Sequence, residues 1–155
     1  MFEDRWQRHA EQIRLDHARI RRLVRSVRQA CQGLSRERRF ATAGLKAHLI
    51  HLQRALEQQL DQHQFGYIED AVSFAPRFGR ESEVLRRQRV ALVRRVGRIA
   101  GEIHHMHDDT ENRHLLATEI SDLIDEIEEN EIAETRLVES ALNVDLDLSC
   151  ETFER

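Results

Sequence analysis

The chain has 155 residues and a mass of 18.3 kDa, which is one domain's worth of sequence and enough for a sizeable core. Apolar residues make up 40% and charged residues 34%, with one Pro and six Gly, which excludes a collagenous or low-complexity polymer and argues against wholesale disorder. Aromatics at 5% speak against β-sandwiches and barrels, and the net charge of −4 is modest but unevenly spread.

Of the 24 basic residues, 11 lie in residues 1–40, 10 in 41–100 and 3 in 101–155, whereas 17 of the 28 acids lie in that last third. A nucleic-acid arm would gather its arginines in a block and interleave aromatics. Here the arginines alternate with apolar residues, so the expectation is helices of opposite sign packed side by side, with no nucleic-acid partner. No stretch approaches roughly 18 uncharged apolar residues, and residues 1–11 hold no apolar signal core. The two cysteines, Cys31 and Cys150, make no disulfide framework. These features predict a cytoplasmic protein that neither spans nor binds a membrane.

In chain order, residues 1–9 read as an N-terminal segment. A first helical stripe follows in Ile13, His17, Ile20, Val24, Val27 and Cys31, at alternating steps of four and three, ending near Gly33 and Ser35. The second reads Leu45, Leu49, Leu52, Leu56, Gln59 and His63, and stops near Gly66. A linker with Pro76 and Gly79 encloses a short segment over 67–74. The third stripe reads Leu85, Arg89, Leu92, Val96, Ile99 and Ile103. The polar stretch 104–112 breaks it and offers Asp109 or Thr110 as an N-cap. The fourth reads Ile120, Leu123, Ile127, Asn130, Glu134, Leu137 and Ala141. Apolar residues up to Leu148 predict a C-terminal stretch that docks before a tail over 148–155. The expected architecture is all-α, an up-down-up-down antiparallel four-helix bundle over 10–147.

Each stripe is interrupted by polar residues. In antiparallel order, His17, Gln59 with His63, Arg89, and Asn130 with Glu134 all fall toward one end of the bundle. Burying such groups costs energy unless they are paired, so they either surround a metal or satisfy one another.

The run over about residues 10–147 resembles the hemerythrin-like (HHE cation-binding) family. The resemblance rests on Asp16-His17, on Gly66-Tyr67-Ile68-Glu69-Asp70-Ala71-Val72 leading to Ala75-Pro76-Arg77, and on 85–92, where the family carries Leu-x-x-x-His-x-x-Leu. It rests also on Asn130-Glu131-Ile132-Ala133-Glu134 with Leu137 and Asp145, which is similar to a His-Glu-x-x-Glu motif. The resemblance implies a four-helix bundle around a bridged di-iron centre. Carried over residue by residue, only His17 and the carboxylates Glu131 and Glu134 keep the family's ligand types. A helix-2 His-x-x-x-Glu pair falls on Gln59 and His63, or in a shifted register on Gln58 and Gln62. The other two histidine positions fall on Arg89 and Asn130.

Iron takes imidazole and carboxylate donors, whereas a guanidinium has no lone pair to give and repels a cation. The expectation is therefore no cofactor and a buried ion pair of Arg89 with Glu134, flanked by His17, Gln59, His63 and Asn130. The alternatives are a mononuclear iron site on His17, His63 and Glu134 with Arg89 turned to solvent, a di-iron site with shifted ligands, or a pocket for an organic anion on Arg89. His104, His105, His107, Asp108 and Asp109 read as a solvated helix end, and His48 with His51 as a flanking pair. No phosphate loop, nucleophile elbow or His-Glu-x-x-His pair is present, so the chain reads as no enzyme. The role it predicts is structural, regulatory or binding, the alternative being an iron- or oxygen-binding or sensing module.

Overall fold

A computed structural model describes residues 2–34, 41–106, 109–144 and 146, and every regular element among them is helical. Helix α1 spans Phe2–Leu34, α2 Ala41–Leu60, α3 Gln62–Phe65, α4 Tyr67–Phe74, α5 Gly79–Glu102 and α6 Thr110–Leu142. Short 3₁₀ turns at Pro76–Phe78 and Ile103–His105 lie between them. No helix among these residues is long and apolar enough to cross a membrane.

Two boundaries differ from the sequence expectation. Residues 2–9 are not a separate segment but the first turns of α1. The stripe runs back through Ala10 to Trp6, which packs against the smaller apolar cluster and so gives the first turns of the helix a buried face. The second stripe is also not one helix. Asp61 N–H bonds the Gln58 carbonyl at 3.3 Å in a tighter turn, and His63 stands on α3. The chain then turns at Gly66, where Gln62 Oε1 accepts from Tyr67 N–H at 3.3 Å. A Cβ at residue 66 would fall 1.7 Å from that oxygen, so glycine here keeps the bond that starts α4.

The other ends follow local chemistry. Asp109, in extended conformation, accepts from Asn112 N–H at 2.7 Å and caps α6. Asn143, left-handed at φ 52° and ψ 48°, ends it, with Val144 N–H on the Glu139 carbonyl at 3.1 Å. The chain then folds back and buries Leu146. Asp145, Leu148, Cys150 and the 148–155 tail lie outside the described residues, as do His107 and Asp108.

Among the long helices, α1 packs on α2, α2 on α5, α5 on α6 and α6 on α1, while α4 lies against α6 and α5. Side-chain pairs give the directions. Arg98 reaches Glu119, Arg95 reaches Glu126 and Arg89 reaches Glu131, so α5 and α6 run antiparallel. Gln59 meets Arg89 while Gln53 meets the Val93 carbonyl, so α2 and α5 do too. Basic helices thus flank acidic α6, with Arg28 on Glu128 at 2.6 Å. Asp70 pins α4 to α1 through Arg5 at 2.9 Å and His9 at 2.5 Å.

The apolar interior forms two clusters. The larger runs from Ile20 through Leu49, Val96 and Ile127, with partly buried Cys31 packed against it. The smaller gathers Ala10, Ile13, Tyr67, Ile68, Leu85, Leu137 and Leu146. Each fully buried aliphatic side chain contributes about 1.5–3 kcal/mol. Between the clusters, the buried positions on α1, α5 and α6 are polar.

Candidate functional site: a buried arginine-centred polar layer

One turn of stripe on each long helix sets the layer. On α1, His17 lies between Ile13 and Ile20; on α5, Arg89 lies between Leu85 and Leu92; on α6, Asn130, Glu131 and Glu134 lie between Ile127 and Leu137. Helical spacing aims these side chains inward with their apolar neighbours, so burial is imposed on them by the packing above and below.

Arg89 is 0% exposed, and its guanidinium is the hub. Nε donates to Asn130 Oδ1 at 2.9 Å, and Nη1 donates to Gln59 Oε1. Nη2 donates to Glu131 Oε1 at 2.5 Å and to Glu134 Oε2 at 2.9 Å. Each carboxylate then turns its second oxygen to a histidine. Glu134 Oε1 is 2.8 Å from His63 Nε2, and Glu131 Oε2 is 3.7 Å from His17 Nδ1. Asn130 donates onward to the Leu85 carbonyl at 3.2 Å, and Ser82 Oγ stands 3.5 Å from His63 Nδ1. All seven residues singled out by sequence therefore meet in one layer. Among them, the Arg89–Glu134 pair has Glu131 as a second carboxylate on the same nitrogen.

The glutamines of the two helix-2 registers go to different places. Gln59 turns inward to Arg89, while Gln58 turns outward to Arg19 and Gln62 caps α4. Three further contributors had been given no role in the site from sequence. Ser82 was findable, because stepping the α5 stripe back from Leu85 and Arg89 lands on it. Tyr67, whose hydroxyl donates to Asp16 Oδ2 at 3.3 Å, and Gln88, 3.5 Å from Asn130 Nδ2, fall within the stretches that carry the resemblance, but off the apolar stripes that pointed to the other site residues.

The electrostatics follow from burial and charge. Burial disfavours the charged guanidinium, but Glu134 and Glu131 outweigh it and hold Arg89 protonated more firmly than a free arginine. Burial likewise pushes the Glu131 carboxyl up, while Arg89 and His17 pull it down further, so it ionises below its ordinary value. Burial also pushes the Tyr67 hydroxyl well above its usual range, with the nearby carboxylates adding to the effect. Tyr67 therefore keeps its proton and donates it in a hydrogen bond to Asp16.

These residues do not fit a metal ion. Both candidate ligand carboxylates are turned onto one guanidinium nitrogen, and an arginine has donors only. Two unit charges about 4 Å apart repel by about 4 kcal/mol at an effective dielectric near 20, and a divalent ion doubles this. His17 and His63 stand on different carboxylates rather than converging with Glu134. Among the described residues, no group of three or more His, Cys, Asp or Glu is placed to hold a metal. The space left beside the layer, about 10 Å³ lined by His17, Gln59, Tyr67 and Glu131 among others, has room for about one water and none for an organic anion.

Elsewhere, His104 and His105 are exposed at the helix end. Burial pushes the Cys31 thiol up to about 11, so it packs as a small apolar group. Compared with protein-family models, with curated proteins and with solved structures, the chain matches none of them.

Proposed function

We propose that the chain is a hemerythrin-like, up-down-up-down four-helix bundle in which a tethered guanidinium has taken the place of the metal centre. Its role is then structural, regulatory or binding, in the cytoplasm, without a cofactor, catalysis, nucleic acid or membrane. The observation that supports this reading is the fully buried Arg89, which joins Gln59 of α2 to Asn130, Glu131 and Glu134 of α6. A cation is still present at the centre of the polar layer, but it belongs to the chain. The layer fixes which helices pair and at what height, because a shift by one turn would separate Arg89 from every partner it has. An iron- or oxygen-sensing role would need Arg89 to leave the core and its carboxylates to be re-aimed.

Elemental analysis of the protein purified without chelators, with its near-ultraviolet spectrum, tests the reading. The expected result is colourless protein with far less than one iron per chain and a melting temperature indifferent to EDTA. About one or two irons per chain, with charge-transfer bands lost on chelation, would refute it.

A further inference from the structure

We propose that the outer face of α5 and α6 is the interface of a symmetric homodimer whose two-fold axis runs parallel to the helices. A groove of about 480 Å³ follows the seam between them, lined by Ala91, Leu92 and Arg95 on α5 and by Glu126, Glu129 and Ala133 on α6, with the Arg95–Glu126 ion pair bridging it. Ala91 and Ala133 leave room on either side of that pair for the side chains of another helix. Val84, 53% exposed, extends the α5 side of the groove by two turns from Ala91, and Ile132, 40% exposed, flanks the α6 side.

Charge selects the occupant. The α5 side carries Arg87, Arg94 and Arg98, and the α6 side carries Asp122, Glu126 and Glu129. Several are already engaged within the chain: Arg87 with Glu83, Arg98 with Glu119, and Glu126 with Arg95. Among the described residues, exposed Arg94, Asp122 and Glu129 form no such pair. Around the middle of the groove the face is thus left with a spare cation, Arg94, on α5 and spare anions, Asp122 and Glu129, on its antiparallel neighbour, while exposed Arg136 lies two turns beyond Glu129 toward the far end of α6.

A pair of antiparallel helices can meet its own copy face to face in two symmetric ways. An axis across the helices would set α5 on α5 and α6 on α6, placing like charges together. An axis along them sets α5 of each copy on α6 of the other and keeps every residue at its own height. The chain's own Arg95–Glu126 and Arg98–Glu119 pairs supply the height scale. Arg94 of one copy then arrives between Asp122 and Glu129 of the other, twice by symmetry. A self-complementary charge pattern over a groove with small residues on both sides fits a second copy better than a partner of uniform charge.

Sedimentation equilibrium of the full chain tests this. The expected result is a reversible monomer–dimer equilibrium that weakens with added salt. Arg94→Glu should raise the dimer dissociation constant at least about tenfold. Adding Asp122→Arg and Glu129→Arg to that variant should restore association, with circular dichroism checking that each protein is folded. A parent chain that stays monomeric at every concentration overturns the proposal. So does a dimer indifferent to Arg94→Glu, or one that the reversed triple variant fails to restore.

Discussion

The apolar body around Leu49, Val96 and Ile120 and the polar layer around Arg89 are both shielded from water, yet they cohere in different ways. The apolar body is held by contact area, which is non-directional and forgiving: a lost methyl costs only its own transfer and a small void. The polar layer is held by direction. Each hydrogen bond in it offsets a desolvation cost already incurred, so losing one member strands the rest. Equal burial therefore does not mean equal tolerance. The small polar layer should tolerate substitution less than the larger apolar body does.

The largest expected effect comes from emptying the hub. Arg89→Ala leaves two carboxylates buried without their cation and should lower unfolding free energy in urea by about 3–5 kcal/mol. Combining Arg89→Met with Glu131→Gln and Glu134→Gln removes the charges together and should recover most of that loss. A single Arg89→Ala variant with an unchanged midpoint would place the guanidinium outside the core.

Acid should act on the same layer. Glu131 is ordinarily a group of pKa 4.5, and its folded value lies lower. As pH falls, the unfolded chain takes up this proton first. The stability Glu131 contributes is thus complete above about pH 4.5 and lost as pH drops through the folded value. Asp16 has the opposite sign: burial raises its folded value, so acid relieves rather than removes its contribution. Urea melts from about pH 6 down to about pH 3 should therefore fall less steeply for Glu131→Gln than for the parent. A parallel fall would contradict the depressed value. At the forgiving end, Ile124→Val in the apolar body should cost only about 0.5–1.5 kcal/mol in the same melts. A larger loss there would erase the contrast between the two regions.

Much of this division was legible from residue order alone. Steps of three and four placed the long helices, and the same steps made His17, Gln59, Arg89, Asn130 and Glu134 conspicuous as polar residues on apolar stripes. The break at Asp61 was not legible. No glycine or proline marks it, and periodicity continues through His63, because the turn answers to the packing of α3 and α4 rather than to local propensity. Glu131 could be named from its motif, but not its sharing of Arg89 Nη2 with Glu134, which depends on side-chain geometry across two helices. Tyr67 and Asp16 met for the same reason only in three dimensions, from helices 51 positions apart in sequence.

The hub itself can be watched by nuclear magnetic resonance of protein labelled with ¹⁵N-arginine, with the Arg89 signal identified from an Arg89→Lys sample. A buried guanidinium donating to Asn130 should give an Nε–H resonance that exchanges with water far more slowly than those of Arg22 or Arg25, both exposed on α1, and that is unmoved by ferrous iron. An Arg89 proton exchanging as fast as those on the surface, or vanishing when iron is added, would mean that the cation at the centre is not the chain's own.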